Sequence, residues 1–396
     1  MGNLIIKPAK LSGSVQVPPS KSIAHRAVIC SALSEAESFL RLNLSDDLLA
    51  TVNGMQVIRE KKNACIDCNE SGSTLRFLLP ISLALTNGGR FIGRGNLGKR
   101  PLTPFFPIFK QCNIQYQQHD GALLDFRVNG TLLPGHYSIS GDISSQFISG
   151  LFFSLPLLEG DSTLKITTPL ESKAYLDLTL SVMHAFGVQI EEKESQVYEI
   201  KGGQVYQDVP YEVEGDYSQA AFFLCANALG ANVKVDNLKP DSKQGDKAVF
   251  DLIKTLTAPD LGEVITIDGS QCPDIIPVIA LTAALQEGKR IEIIHSQRLR
   301  LKECDRIFAV AQELNRLGAK IQEREDGFSI EGVKQLSGGE VWSHNDHRIA
   351  MMLSIAATVC KEPILLKGYE CVTKSYPDFF EDYKKIGGII YERNMG

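Results

Sequence analysis

Cys65-Ile66-Asp67-Cys68-Asn69-Glu70-Ser71-Gly72-Ser73-Thr74-Leu75-Arg76-Phe77-Leu78-Leu79-Pro80-Ile81-Ser82-Leu83-Ala84-Leu85 carries the pattern that decides the fold. A short strand, Cys65 to Asp67, runs into a small polar cluster, and the cluster opens a segment of helical length with almost no polar face. A helix that is apolar nearly all round is a buried one, so this segment belongs inside a core. The same order recurs at Val15-Gln16-Val17 before Pro19-Ser20-Lys21-Ser22, at Tyr137-Ser138-Ile139 before Ser144-Ser145-Gln146, and at Tyr211-Glu212-Val213 before Asp216-Tyr217-Ser218. Two further copies are Ile265-Thr266-Ile267 before Cys272-Pro273-Asp274 and Val341-Trp342 before Asn345-Asp346-His347.

Between copies lies a second, amphipathic helix, as at Tyr175 to Phe186, Asp305 to Leu317 and Phe379 to Ile386, closed by Gly187, Gly318 and Gly387. These helices are expected on the outside. The repeat is therefore strand, buried helix, strand, surface helix and further strand, an α/β arrangement with helices packed on sheets. Six repeats divide into three and three, and Tyr211 to Gly215 marks the halfway point. The strand before Pro18-Pro19 is expected to pair with the second half.

With 396 residues, 43% of them apolar, the chain has material for two or three domains. Its nine cysteines sit mostly inside apolar runs, as at Cys30, Cys225 and Cys360, which fits a reducing cytoplasm. The start, Met1 to Lys10, lacks the apolar core of a signal peptide, and no run of eighteen apolar residues could span a bilayer. A formal net charge of -6 argues against general affinity for nucleic acid or anionic membranes. Any anion must be held by a local cluster of positive groups.

Such clusters fall at the starts of the buried helices, where free backbone N–H groups and the helix dipole favour anions. Serine, threonine, aspartate and asparagine there are also the ordinary N-caps, so a cluster alone says little. Capping needs no arginine, however. Lys21 and Arg26 flank the first helix start, Arg76 the second and Arg348 the last. Ahead of a surface helix, Arg298-Leu299-Arg300-Leu301-Lys302-Glu303-Cys304-Asp305-Arg306 gathers several more charges, with Lys302 and Arg306 four apart and expected on one face. If two lobes face each other, these starts line one cleft suited to polyanions. A carboxylate in such a cleft is unfavourable unless it moves a proton, which singles out Asp274 and Glu303 as acid/base candidates.

These motifs resemble the enolpyruvyl transferases, and within them the branch that acts on shikimate 3-phosphate. The resemblance runs through the chain in order: Pro19-Ser20-Lys21-Ser22-Ile23-Ala24-His25-Arg26, Ser71-Gly72-Ser73-Thr74-Leu75-Arg76, Ser144-Ser145-Gln146-Phe147, Ser172-Lys173-Ala174-Tyr175 and Val213-Glu214-Gly215-Asp216-Tyr217-Ser218. It continues through Pro273-Asp274, Leu301-Lys302-Glu303-Cys304-Asp305-Arg306, Asn345-Asp346-His347-Arg348-Ile349-Ala350-Met351 and Lys374-Ser375-Tyr376-Pro377-Asp378.

The resemblance implies an inside-out α/β barrel in two similar lobes, each of three βαβαββ units around buried parallel helices, joined by two chain crossings. Residues 1–19 with 214–396 would form one lobe and 20–213 the other, with the active site in the cleft between them. The activity implied is transfer of the enolpyruvyl group of phosphoenolpyruvate to the 5-hydroxyl of shikimate 3-phosphate, with release of phosphate, in the pathway to chorismate and the aromatic amino acids. Lys21, Ser22, Arg26, Ser144, Ser145, Ser172, Asp274 and Lys302 would contact shikimate 3-phosphate. Lys21, Gly72, Gln146, Arg306, Arg348 and Lys374 would hold phosphoenolpyruvate. Asp274 would act as the base, Glu303 as the acid that protonates the methylene carbon, and Lys21 would share in catalysis. No metal or organic cofactor is implied, and the protein is expected to be a cytoplasmic monomer with no nucleic-acid or membrane partner.

Three departures from the family pattern stand out. Asn96, in Gly95-Asn96-Leu97-Gly98-Lys99-Arg100-Pro101, falls where relatives have an arginine for phosphoenolpyruvate, with Lys99 or Arg94 as substitutes. Arg298 stands where asparagine is common, and the chain is shortened around Lys243 to Thr257. Two rival readings are the related transferase acting on UDP-N-acetylglucosamine, whose first motif lacks the Lys21 to Arg26 run, and a non-enzymatic six-unit clamp around DNA. The clamp would spread Lys and Arg along helices instead of gathering them with Ser and acids at helix starts.

Some motifs are declined. Gly93-Arg94-Gly95-Asn96-Leu97-Gly98 has the spacing of a dinucleotide fingerprint, but Pro101, Pro104 and Pro107 follow it in place of a helix. Cys65 and Cys68 form a lone pair without a second one for zinc, and His344 and His347 read as satisfied polar residues at a helix start.

Overall fold

A computed structural model describes residues 2–34, 45–60, 65–119, 123–259 and 264–393. The chain divides into two compact lobes, the first made of Met1–Pro18 with Glu214–Gly396 and the second of Pro19–Val213. Strands β1 (Asn3–Lys7) and β2 (Ser12–Val15) open the first lobe. The second lobe begins with helices α1 (Lys21–Leu33) and α2 (Asp46–Arg59). One repeat follows as β3 (Cys65–Asp67), α3 (Gly72–Leu85), β4 (Gly88–Gly93), α4 (Phe106–Gln111), β5 (Gln115–Gln118) and β6 (Leu124–Asn129). Another is β7 (His136–Ile139), α5 (Ser145–Ser154), β8 (Ser162–Ile166), α6 (Lys173–Ala185), β9 (Ile190–Glu194) and β10 (Val197–Ile200).

The first lobe resumes with α7 (Tyr217–Ala228), β11 (Asn232–Val235) and α8 (Val249–Thr257). A full repeat comes next: β12 (Val264–Asp268), α9 (Ile276–Ala284), β13 (Arg290–Ile294), α10 (Arg306–Arg316), β14 (Lys320–Arg324) and β15 (Gly327–Glu331). The chain closes on β16 (Gly339–Trp342), α11 (His347–Ala357), β17 (Ile364–Lys367), α12 (Phe379–Lys385) and β18 (Ile389–Arg393).

The sheets repeat one topology, β3-β4-β6-β5, β7-β8-β10-β9 and β12-β13-β15-β14, in which the first two strands run parallel and the rest antiparallel. A parallel pair needs a crossover, and the buried helix of each repeat provides it. The last sheet, β16-β17-β1-β18, has the same order, but its third place is filled by the N-terminal strand, antiparallel to both neighbours. The crossover helices form the cores. All nine residues of α9 and all eleven of α11 are buried, in keeping with sequences that are apolar apart from Thr282 in the first and His347, Arg348 and Ser354 in the second.

One expectation needs correction. Tyr211–Val213 forms no strand. In its place β2 lies parallel to β11, from Ser12 opposite Asn232 to Val15 opposite Val235. Val213 instead packs on Ala24, Val28 and Leu48 beside α1 and α2. The segment before each crossing thus packs on the opening repeat of its own lobe, and the pairing of β2 with β11 is the one expected of the strand before Pro18-Pro19. Residues 245–257 fold into a 3-10 turn (Gly245–Ala248) and α8.

Candidate active site

In the first lobe the polar starts of α9, α10 and α11 meet around Asp274. Its Oδ1 accepts hydrogen bonds from Lys302 Nζ at 3.2 Å and Arg306 Nη1 at 2.9 Å, and its Oδ2 lies 3.7 Å from Arg348 Nη2. Burial opposes the charge on Asp274, but Lys302, Arg348 and Arg306 outweigh it and hold the carboxyl well below its ordinary range. Burial also lowers the Lys302 ammonium, with Asp274 opposing that shift. Lys302 and Arg306 do not share a helix face, because α10 starts only at Arg306 and Lys302 ends the 3-10 turn Gln297–Leu301. They meet by converging on one carboxylate.

The Arg306 guanidinium, almost fully buried, ties three acids together. Besides Asp274 it donates from Nη2 to Glu303 Oε2 at 2.8 Å and from Nε to Asp346 Oδ2 at 2.8 Å. Asp346 in turn caps α11 by accepting from Arg348 N at 2.8 Å. The two carboxylates nominated as acid and base therefore hang from one rigid cation. Arg348 is 2% exposed, yet its Nε and Nη1 find no hydrogen-bond partner among the described residues. A buried cation with unpaired donors is unfavourable unless an anion completes it, so this corner is built for one. Lys374 Nζ, also buried, donates to the Asn345 carbonyl at 2.7 Å.

Asp246 joins this group without having been singled out by sequence. It accepts from the Ser218 hydroxyl, and its carboxyl is pushed up to about 6 by burial first and by the charge of Asp274 second. As one of the two acids in the polar run Asp241 to Asp246 it carries no sequence signal.

In the second lobe the starts of α3 and α5 make a separate polar site. Arg76 Nη1 donates to Gln146 Oε1 at 2.8 Å, and Gln146 Nε2 donates to Ser73 Oγ at 2.8 Å. A Cβ added to Gly72 would fall 2.6 Å from Arg100 Nη1 and displace that guanidinium, while Arg76 Nη1, at 3.5 Å, would be in ordinary contact, so glycine lets Arg100 approach this helix start closely. Arg100 is the arginine that lies beside Gly72. Arg94 points elsewhere, to Asp67 at 3.2 Å on the surface, and Lys99 is exposed. The Arg100-Pro101 dipeptide was the available signal.

The remaining candidates sort by environment. Lys21 Nζ pairs with Asp47 at 2.9 Å at the start of α1. Ser144 caps α5 by accepting from Gln146 N, next to buried Ser145, and Ser172 precedes α6 in a left-handed conformation, φ 56°. Arg26 is committed inside the lobe, donating to Thr179 Oγ1, the Ser22 carbonyl and the Tyr175 carbonyl. It thereby fixes Ser22 and clamps α1 to α6. Burial brings its guanidinium down to about 10. Among the described residues no group of three His, Cys, Asp or Glu is placed to hold a metal, and no helix is long and apolar enough to cross a membrane.

The fold and this pair of polar sites define a class, the two-lobed α/β enolpyruvyl transferases. A solved EPSP synthase from Acinetobacter baumannii matches over 100% of both chains with a TM-score of 0.78 at 24% identity. The enolpyruvyl transferase NikO from Streptomyces tendae matches with a TM-score of 0.75 at 18% identity, over 100% of this chain and 99% of that one. A model of the EPSP synthase (3-phosphoshikimate 1-carboxyvinyltransferase) family matches residues 5–62 and 44–383. The 3-phosphoshikimate 1-carboxyvinyltransferases of Clostridium beijerinckii and Clostridioides difficile are 51% and 50% identical, each over 100% of both chains. The chain belongs to the EPSP synthase family. Those two alignments run over 436 and 438 positions against the 396 residues here, so relatives carry segments with no counterpart in this chain.

Proposed function

We propose that this chain is a transferase that moves the enolpyruvyl group of phosphoenolpyruvate to the 5-hydroxyl of shikimate 3-phosphate and releases inorganic phosphate. The observation that carries the reading is the Asp274 cluster, in which one buried guanidinium fixes both a base and an acid among cations with donors to spare. Asp274 takes the proton of the 5-hydroxyl as its oxygen bonds to C2 of phosphoenolpyruvate, and Glu303 gives a proton to C3. The tetrahedral adduct then loses a C3 proton as the C2–O bond to phosphate breaks. Substrate anions on Lys302, Arg306 and Arg348 compete for the charge that depresses Asp274, so binding itself raises its basicity.

Phosphoenolpyruvate is assigned to Arg306, Arg348 and Lys374 from the first lobe and to Lys21, Gly72, Gln146 and the added Arg100 from the second. Shikimate 3-phosphate is assigned to Lys21, Ser22, Ser144, Ser145 and Ser172 with Asp274 and Lys302, while Arg26 contributes charge and holds Ser22. Positioning and charge stabilisation supply most of the rate. A cytoplasmic setting is part of the proposal, supported by cysteines buried in apolar surroundings.

The test is phosphate release from phosphoenolpyruvate with and without shikimate 3-phosphate. Release that requires both compounds, and that falls about 10²–10⁴-fold in Asp274→Ala and in Glu303→Ala, is expected. Release without shikimate 3-phosphate, or unaffected by either substitution, would refute the reading.

A further inference from the structure

Helix α10 grips the segment between β16 and α11 at two points. At its start Arg306 holds Asp346. Two turns on, along the same face, the fully buried Glu313 accepts from Trp342 N at 3.0 Å through Oε2 and from His344 Nε2 at 2.8 Å through Oε1. A carboxylate can only accept, so Nε2 carries the proton. The Trp342 ring lies over the His344 ring, tilted by 30° with centroids 4.2 Å apart.

The gripped segment is conformationally unfavourable. His344 and Asn345 are both left-handed, with φ 52° and 55°, a state non-glycine residues hold only when their surroundings impose it. Those two residues turn the Asn345 carbonyl toward Lys374 Nζ and bring Asp346 under Arg306. A buried carboxylate is costly without partners, and here each Glu313 oxygen is bonded to one end of the strained turn.

We propose that Glu313, acting with His344, is a positioning residue for phosphoenolpyruvate binding: it holds the left-handed turn that sets the direction of the Lys374 ammonium. It touches no substrate itself. The proposal rests on the assignment of Lys374 to phosphoenolpyruvate made above.

Calorimetric titration of phosphoenolpyruvate and of shikimate 3-phosphate onto the unsubstituted chain, Glu313→Ala and Glu313→Gln tests it. Glu313→Ala should weaken phosphoenolpyruvate at least tenfold and shikimate 3-phosphate less than twofold. Glu313→Gln, whose amide can still bond both partners after a change of His344 tautomer, should restore affinity to within about threefold. Trp342 is the chain's single tryptophan, so its emission should shift to the red in Glu313→Ala below the melting temperature as the ring contact loosens. Glu313→Ala that melts earlier yet binds phosphoenolpyruvate normally overturns the proposal and leaves the functional reading standing. If the unsubstituted chain binds no phosphoenolpyruvate, both fall. Should Glu313→Ala not fold, His344→Ala severs one tether at the edge of the lobe, and unchanged phosphoenolpyruvate affinity there overturns the proposal equally.

Discussion

Arg100 and Asp246 show how much of the chemistry is decided by single side chains that no motif announces. Arg100 reaches Gly72 beside Arg76, so Arg100→Ala should raise the KM for phosphoenolpyruvate roughly 10–100-fold, the worth of one charge-assisted hydrogen bond. Asn96→Ala should leave it unchanged. Steady-state kinetics on the two variants separates the positions. Asp246 carries a pH signature. Its carboxyl titrates near 6 in the fold against about 4 when unfolded, so the folded chain binds this proton more tightly. That contribution is fully present below about pH 4 and is lost as pH rises through about 6, on the order of 3 kcal/mol. Asp246→Asn removes the loss, so its melting temperature relative to the parent should climb between about pH 4 and pH 7. Parallel melting curves across that range would show the opposite if Asp246 were an ordinary surface acid. Asp274, its neighbour, has the reverse sense: held low, it stabilises above the ordinary carboxyl range and stops doing so in acid.

At the scale of elements, the starts of the buried helices serve both structure and chemistry, and the two uses are divided among adjacent residues. Ser71, Ser144, Asp216 and Asp346 accept from backbone N–H groups of α3, α5, α7 and α11, so the side chains of the neighbouring Gln146 and Arg348 are not used in capping. The clusters were readable as such because capping and anion binding draw on the same orphan donors. Which residue took which task was not readable, since that depends on the facing helix. The pair α3 and α5 makes the point. A Cβ on Gly150 would sit 2.3 Å from the Arg76 carbonyl oxygen, so the backbones touch directly beneath the arginine that holds Gln146. Gly150→Ala should cost about 1–3 kcal/mol or more by forcing the helices apart, seen as a lower denaturation midpoint, and should weaken phosphoenolpyruvate binding as Arg76 shifts. A melting curve matching the parent's would show that the helices have room.

Across the molecule, the sequence by itself determined the repeat. Near-continuous apolar helices, amphipathic helices ending in Gly187, Gly318 and Gly387, and short strands between them have few solutions other than layered α/β units, because burial and backbone pairing act locally and leave a period in the chain. It also determined the chemical class of the site, since buried arginines and lysines beside Asp274 and Glu303 have no structural use that serine and asparagine would not serve more cheaply. Only the tertiary structure decided which strand completes which sheet. β1 enters the last sheet between β17 and β18, and although the strand before Pro18-Pro19 was expected to pair with the second half, it was the fold that set β2 beside β11. Those pairings join residues hundreds of positions apart. Strand pairing is specified by backbone hydrogen bonds common to every residue, so the sequence records that a strand exists and leaves its partner to be settled by packing. For the same reason only the fold places Arg100 beside Gly72 and Glu313 against the turn before α11.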